Sequence, residues 1–163
     1  MNEIKPGASS RSEPLPRLGE IGLSNFAPYL MNRIMGRYNA DLRQEMSGLG
    51  LTTPKMRALA VLSVIDTLPI SELAVYAVVE QSTLSRALEQ LTADGLVRRD
   101  PDPNDSRVTR IAITEAGRAA YDQLWPTMSR IYSQMFQGIS PEERQAFVAT
   151  LQKMLANIRK HDF

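Results

Sequence analysis

The chain has 163 residues and no cysteine, and its 19 lysine and arginine residues nearly balance 18 aspartate and glutamate residues, for a formal net charge of +1. This length allows one well-buried domain and excludes two large ones. The absence of cysteine excludes disulfides, thiolate zinc sites and thiol redox sensing, and the near-neutral charge disfavours a protein that only coats nucleic acid. Any nucleic-acid-binding surface must therefore be local, built by a few arginine side chains.

Residues 1–20 are rich in proline, glycine and serine and contain few large apolar side chains, which predicts a flexible N-terminal arm. Residues 21–163 are expected to form a single domain. No apolar run is long enough to cross a bilayer, and the N-terminus lacks a basic segment followed by a hydrophobic stretch. We therefore expect a cytoplasmic protein without a membrane partner.

Three helices are predicted in the first half of the domain. Apolar residues at steps of three and four from Leu23 predict a long helix that ends near Ser47. Thr53 as N-cap and Pro54 at the first helical position predict a second helix, which ends before Pro69. A third, short helix follows it.

A fourth helix and a hairpin come next. Residues 82–93 place leucines at core spacing, and Gly95 ends the predicted helix. The spacing of apolar residues then changes from that of a helix to that of a strand in residues 96–99 and 108–114. The turn-forming segment 100–106 separates these two strands. The sequence thus predicts a two-stranded hairpin directly after the fourth helix.

Two further helices complete the prediction. Thr114 and Glu115 can start a fifth helix with a wide apolar face, and Pro126 removes a backbone donor within it, so a kink is expected there. Residues 140–143, Ser-Pro-Glu-Glu, have the pattern of a capping box that opens the last helix. The predicted fold class is mainly α with a small β-hairpin wing.

The third and fourth helices, joined by a short turn and followed by a hairpin, have the order of a winged helix-turn-helix, whose second helix enters the DNA major groove. The start of that helix carries amide, hydroxyl and guanidinium groups that can reach base edges and phosphates, namely Gln81, Ser82, Thr83, Ser85 and Arg86. Arg107 at the hairpin tip can enter a minor groove. The alternatives are a solvated helix face for the α-helical residues and, for Asp105 and Arg107, a turn-capping aspartate with a nearby surface ion pair.

Five segments of the chain resemble the multiple-antibiotic-resistance regulator (MarR) family. They are Ile-Ser-Glu-Leu-Ala at 70–74, Ser-Thr-Leu-Ser-Arg at 82–86, Gly-Leu-Val-Arg-Arg at 95–99, Asp-Pro-Asn-Asp-Ser-Arg at 102–107 and Thr-Glu-Ala-Gly at 114–117. The resemblance covers about residues 23–160. It implies a winged helix-turn-helix at about residues 52–114 and a helical dimerisation region at about residues 21–47 and 115–160.

The resemblance also implies a homodimer, a pseudo-palindromic operator in double-stranded DNA, and a cleft that accepts small aromatic or anionic effectors. It gives Arg107 the minor-groove contact, and it gives Asp105 a bracing role for the wing or a nearby arginine. One departure concerns the turn between the third and fourth helices. Family members commonly have a glycine and then a good N-cap there, whereas this chain has Val78, Val79 and Glu80.

The sequence therefore predicts a DNA-binding transcription regulator and not an enzyme, and the resemblance implies that it is a homodimeric repressor relieved by a small organic effector. The alternative is a winged-helix module that binds a protein partner. No cofactor or metal site is predicted, because the acidic segment from Asp100 lacks the glycine and the final glutamate of a calcium loop. Trp125 is the candidate wall of an effector pocket.

Overall fold

The computed structural model describes residues 16–161, which form eight α-helices and three β-strands. The elements in chain order are α1 (Leu18–Ile21), α2 (Ala27–Gly48), α3 (Thr53–Val64), β1 (Thr67–Pro69), α4 (Ile70–Ala77), α5 (Gln81–Ala93), β2 (Val97–Pro101), β3 (Thr109–Ile113), α6 (Glu115–Asp122), α7 (Trp125–Met135) and α8 (Pro141–Ile158). The predicted fold class, mainly α with a small β wing, is confirmed. Within residues 16–161, no helix combines the length and the apolar character that crossing a bilayer requires.

The chain divides into two compact units between Tyr38 and Asn39, inside α2. In the first unit, a 3-10 turn (Leu23–Asn25) follows α1, and Gly22 joins them with a φ of 76°, which glycine adopts at no steric cost. The helix predicted from Leu23 therefore begins at Ala27 as an α-helix. Most of the arm predicted at residues 1–20 lies outside the described residues.

In the second unit, α3, α4 and α5 pack against one another, and α5 also packs against β2. Their contact surface is built from fully buried leucines: Leu59, Leu62, Leu73, Leu84, Leu88 and Leu91. Lys55 in α3 is also buried, and its ammonium lies 3.5 Å from the carboxylate of Asp94, the C-cap residue of α5. A buried ammonium requires such a partner, and this pair joins the start of α3 to the end of α5.

The three strands form one antiparallel sheet in the order β1-β3-β2. The predicted hairpin is present as β2 and β3, with Arg99 opposite Ile111. The third strand, β1, was missed, and it pairs Leu68 with Ile111 at the edge of the sheet. A strand of three residues that ends in Pro69 is too short to show the alternation of apolar and polar residues that identifies a strand. Proline has no backbone N–H, and an edge strand tolerates that absence.

Three further helix positions differ from their predictions. Thr52, not Thr53, is the N-cap residue of α3, and α5 begins at Gln81 instead of residue 82. The predicted fifth helix is interrupted, because α6 ends at Asp122 and α7 begins at Trp125. Pro126 has no N–H to donate to the carbonyl of Asp122, four residues earlier, so the expected kink is a break between two helices.

Candidate nucleic-acid interface

Helix α5 is amphipathic, and its buried leucine face directs the opposite face to solvent. Leu84, Leu88 and Leu91 are fully buried against α3 and α4. Among the polar residues predicted to contact DNA, Ser85 is half-buried, and four are exposed: Gln81, Ser82, Thr83 and Arg86. The first two turns of α5 therefore present amide, hydroxyl and guanidinium groups at one end of the helix.

Glu80 caps this end of α5, a role that the sequence analysis did not assign. Its carboxylate accepts hydrogen bonds from the backbone N–H groups of Ser82 at 3.1 Å and Thr83 at 3.2 Å, and from the Ser82 hydroxyl. These bonds hold the pKa of Glu80 below its usual range, with the Ser82 hydroxyl as the largest cause. Glutamate is not among the preferred N-cap residues, so the sequence pattern carried no signal for this cap.

The cap also determines which hydrogen bonds Ser82 has left to offer. A serine hydroxyl has one proton and two acceptor lone pairs, and here the proton points to Glu80. The oxygen of Ser82 can therefore accept a hydrogen bond from a base amino group, whereas its proton is already in use.

The turn between α4 and α5 has an unusual backbone. Val78 has a φ of 51° and a ψ of 49°, the left-handed conformation, and it is the one non-glycine residue with positive φ among residues 16–161. The N–H of Val79 donates to the carbonyl of Ala74 at 3.1 Å, as in a helix that ends in a Schellman motif. Valine thus occupies the position at which glycine is usual.

Asp102 organises the tip of the wing, the loop from residue 102 to 108 that joins β2 to β3. Its carboxylate accepts hydrogen bonds from the backbone N–H groups of Asn104 at 2.8 Å and Asp105 at 3.2 Å. The guanidinium of Arg110 on β3 donates to the other carboxylate oxygen at 3.0 Å. These bonds, that of Asn104 first, hold the pKa of Asp102 below its usual range.

The role of Asp102 was missed, although the Asp-Pro-Asn sequence is a recognisable signal for a side chain that caps its own turn. No sequence pattern indicated that Arg110 would donate to Asp102, because this contact depends on the pairing of β2 with β3.

Asp105 and Arg107, both predicted, are joined at the wing tip. One carboxylate oxygen of Asp105 accepts from the backbone N–H of Arg107 at 3.1 Å and from Nε at 3.0 Å, and the other accepts from Nη2 at 3.0 Å. The Arg107 hydrogen bond is the main reason that the pKa of Asp105 lies below its usual value. The Arg107 side chain is 88% exposed, so it extends into solvent while its guanidinium is held from one side.

The wing is fixed to α6 through Thr114 and Gly117. The Thr114 hydroxyl donates to the carbonyl of Gly95 at 2.7 Å and accepts from the N–H of Gly117 at 3.0 Å, which caps α6. A β-carbon on Gly117 would lie 2.0 Å from the carbonyl oxygen of Leu96. Glycine is therefore required where α6 begins, directly against the residue that precedes β2.

Trp125 lies at the start of α7 and is 57% exposed. A groove with a volume of about 560 Å³ runs between α7 and α8, and Trp125 is not among its lining residues, which are Tyr132, Pro141, Arg144, Gln145, Val148, Ala149 and Gln152. Within residues 16–161, no three or more histidine, aspartate or glutamate side chains are grouped to hold a metal ion.

Comparison with known proteins identifies the family. A model described as the MarR family matches residues 49–108, from the end of α2 to the wing tip. A crystal structure of a MarR family transcriptional regulator from Silicibacter pomeroyi is 65% identical, superposes with a TM-score of 0.87, and matches over 91% of this chain and 100% of the other.

Two further relatives are more distant. The HTH-type transcriptional repressor IacR of Pseudomonas putida is 26% identical over 153 residues, which are 94% of this chain and 92% of IacR. Bordetella bronchiseptica BpsR, whose DNA binding is regulated by 6-hydroxynicotinic acid, is 27% identical with a TM-score of 0.68, over 80% of this chain and 94% of BpsR. With the solved structure at 65% identity matched over its full length, this chain belongs to the MarR family of transcriptional regulators.

Proposed function

We propose that this protein binds a pseudo-palindromic operator in double-stranded DNA as a homodimer, and that it represses transcription until a small organic effector releases it. The observation that carries the proposal is the exposed polar start of α5, its first two turns, followed in the same fold by a wing whose arginine is 88% exposed. These two features are the parts by which a winged helix-turn-helix contacts the major and minor grooves.

In this proposal the first two turns of α5 contact bases and phosphates in the major groove. Arg86 and Gln81 offer donors, while Ser82 offers its oxygen because Glu80 takes its proton. Thr83 and Ser85 complete the set. Glu80 lies next to this surface and repels phosphates, which favours contact between α5 and base edges over contact with the backbone.

Arg107 is proposed to enter the minor groove and Asp105 to hold it extended. An arginine that is already positioned loses less side-chain entropy when it inserts into a narrow, negative groove. The bonds from Asp102 to Asn104 and Asp105 support this arrangement, because they give the loop that carries Arg107 a defined shape.

The homodimer is supported by the apolar surface of α8. None of its 18 residues is buried. Five of its large apolar side chains are exposed: Phe147, Val148, Met154, Leu155 and Ile158. A helix with this much unpartnered apolar surface is typical of an oligomer interface. A two-fold pair of chains would place two copies of α5 about one helical turn of DNA apart.

Repression and its relief are supported by the relatives. IacR is a repressor, and BpsR responds to an aromatic carboxylic acid. We therefore propose a small aromatic or anionic effector, with Trp125 as part of its binding site. The function proposed is binding alone, because the sequence offers no set of nucleophile, base and orienting residue.

The proposal is tested by selecting duplexes from a random DNA library and measuring the affinity of the purified protein for the selected sequence. We expect a palindromic preference, and we expect Arg86→Ala and Arg107→Ala each to weaken binding about tenfold. Arg17→Ala, which removes an exposed arginine directly before α1, is the matched control and should bind as the parent does. Absence of sequence preference at low salt, with the fold retained, would exclude the regulator function and favour a protein-binding winged helix.

The effector is tested through Trp125, which is the only tryptophan in the chain and hence a direct fluorescence reporter. Titration with 6-hydroxynicotinic acid should change its emission and weaken operator binding over the same concentration range. An effect on DNA binding without a change in emission would place the effector away from Trp125. No effect on either would argue against this class of effector.

A further inference from the structure

The turn between α4 and α5 sets the direction in which α5 leaves the helix-turn-helix, and its first residue is in an unfavourable conformation. Val78 has a φ of 51°, where a β-branched side chain is rarely found because its β-carbon crowds the carbonyl oxygen. Its side chain is 77% exposed, so burial does not offset the unfavourable backbone. Other contacts must hold Val78 in place.

One such contact comes from outside the turn. The guanidinium of Arg57 on α3 donates a hydrogen bond from Nη1 to the carbonyl oxygen of Val78 at 3.0 Å. The two residues are 21 positions apart in the sequence, and α3 packs against both α4 and α5. A hydrogen bond from a charged donor is stronger than one between neutral groups, so Arg57 is suited to stabilise a backbone that would otherwise relax.

We propose that Arg57 is a positioning residue for DNA recognition: it holds the left-handed turn at Val78 and thereby fixes the angle between α4 and α5. Arg57 acts through the Val78 carbonyl and does not itself contact DNA. Backbone strain at a functional element persists when surrounding structure determines it, and Arg57 is the side chain that does so here. This inference rests on the proposed function, since its readout is operator affinity.

The test is a double-mutant cycle on operator binding with Arg57→Met and Val78→Gly. Arg57→Met keeps the aliphatic part of the side chain and removes the donor, and we expect it to weaken binding about tenfold. Glycine adopts the left-handed conformation without a supporting contact. In the Val78→Gly background, Arg57→Met should therefore weaken operator binding at most about twofold. Arg17→Met, at an exposed arginine directly before α1, is the control for loss of one positive charge.

Salt dependence separates positioning from direct contact. If Arg57 contacted a phosphate, Arg57→Met would lower the magnitude of the slope of log affinity against log salt by about one. If Arg57 only positions α5, the variant should have the same slope as the parent. The inference is overturned if Arg57→Met binds the operator as tightly as the parent does. It is also overturned if Arg57→Met lowers the salt slope and weakens binding equally with valine and with glycine at position 78.

A failure of the inference remains distinct from a failure of the proposed function. In the first case the parent still binds its selected duplex, and in the second it shows no sequence preference at all. Should Arg57→Met not fold, Arg57→Lys serves in the same cycle, because lysine keeps the charge and loses the planar guanidinium. It is expected to weaken binding with Val78 present and to have no effect with glycine at that position.

Discussion

The carboxylate of Asp105 accepts three hydrogen bonds from Arg107, one from its backbone N–H and two from its guanidinium. The pair lies at the tip of the wing, and the Arg107 side chain is 88% exposed. Exposed ion pairs add little to stability, so the value of this contact must lie elsewhere. It restrains the guanidinium of the one cationic side chain of the tip loop while leaving that side chain exposed.

Asp105→Ala is predicted to weaken operator binding about fivefold and to leave thermal unfolding unchanged. Without the carboxylate, Arg107 must lose its side-chain entropy on binding. The measurement is operator affinity for the single and double variants. With Arg107→Ala already present, the change at residue 105 should weaken binding no further. Tighter binding in both backgrounds would mean that Asp105 merely repels phosphate.

Gly117→Ala is predicted to lower the free energy of unfolding by about 3 kcal/mol, because the new β-carbon would overlap the carbonyl oxygen of Leu96. Urea denaturation measures the loss. Gly36→Ala is the matched control, since a β-carbon at Gly36 in α2 meets nothing within 4 Å. That change should be neutral or stabilising, and equal stability of the two variants would contradict the close approach of α6 to Leu96.

Asp102 is predicted to make the protein sensitive to acid. Its pKa is lowered by the hydrogen bonds from Asn104 and Arg110, whereas in the unfolded chain it takes its ordinary value of about 4. The unfolded state therefore binds more protons as the pH falls, and the stabilisation, fully present above about pH 4, is lost as the pH drops through the folded-state pKa.

The experiment compares urea midpoints of the parent and Asp102→Asn between about pH 7 and pH 2. The parent should be more stable near neutral pH, and the difference should shrink below about pH 4. Two parallel curves would show that Asp102 does not contribute through its charge.

If the protein is the proposed dimer, Leu155→Glu should convert it into a monomer and weaken operator binding at least tenfold. Leu155 is 62% exposed on α8, so a charged side chain there does not disturb the fold of one chain but would be buried without a partner in an interface. Sedimentation velocity measures the assembly. Gln90→Glu, which makes the same one-unit change in charge at an exposed position outside α8, is the control for assembly. A parent that sediments as a monomer at micromolar concentration would exclude the proposed dimer.

Elements that depend on neighbouring residues could be predicted from the sequence. The capping box at Ser140 and Glu143 is present, with the two reciprocal bonds at 3.2 and 2.9 Å. Thr114 caps α6, the leucine spacing of α5 places its polar turn in solvent, and Pro126 interrupts the helix. Each of these outcomes is decided within about four residues, the range over which helix capping and periodicity act.

The candidate site was predictable to the same extent. The exposed residues at the start of α5 and the pairing of Asp105 with Arg107 follow from local spacing. The contacts that hold the wing loop in place do not follow from local spacing alone. Asp102 could have been read from its own turn, but the Arg110 that completes it is brought there by strand pairing.

The amino-acid sequence by itself determined most of the helices, the wing and the family, because periodicity, capping and short motifs need only residues that are close along the chain. Tertiary structure alone decided that Arg57 binds the carbonyl of Val78, that β1 pairs with β3, and that Gly117 approaches Leu96. These contacts join residues from about 20 to more than 40 positions apart, and they form only when the packing of the leucine core has brought their elements together.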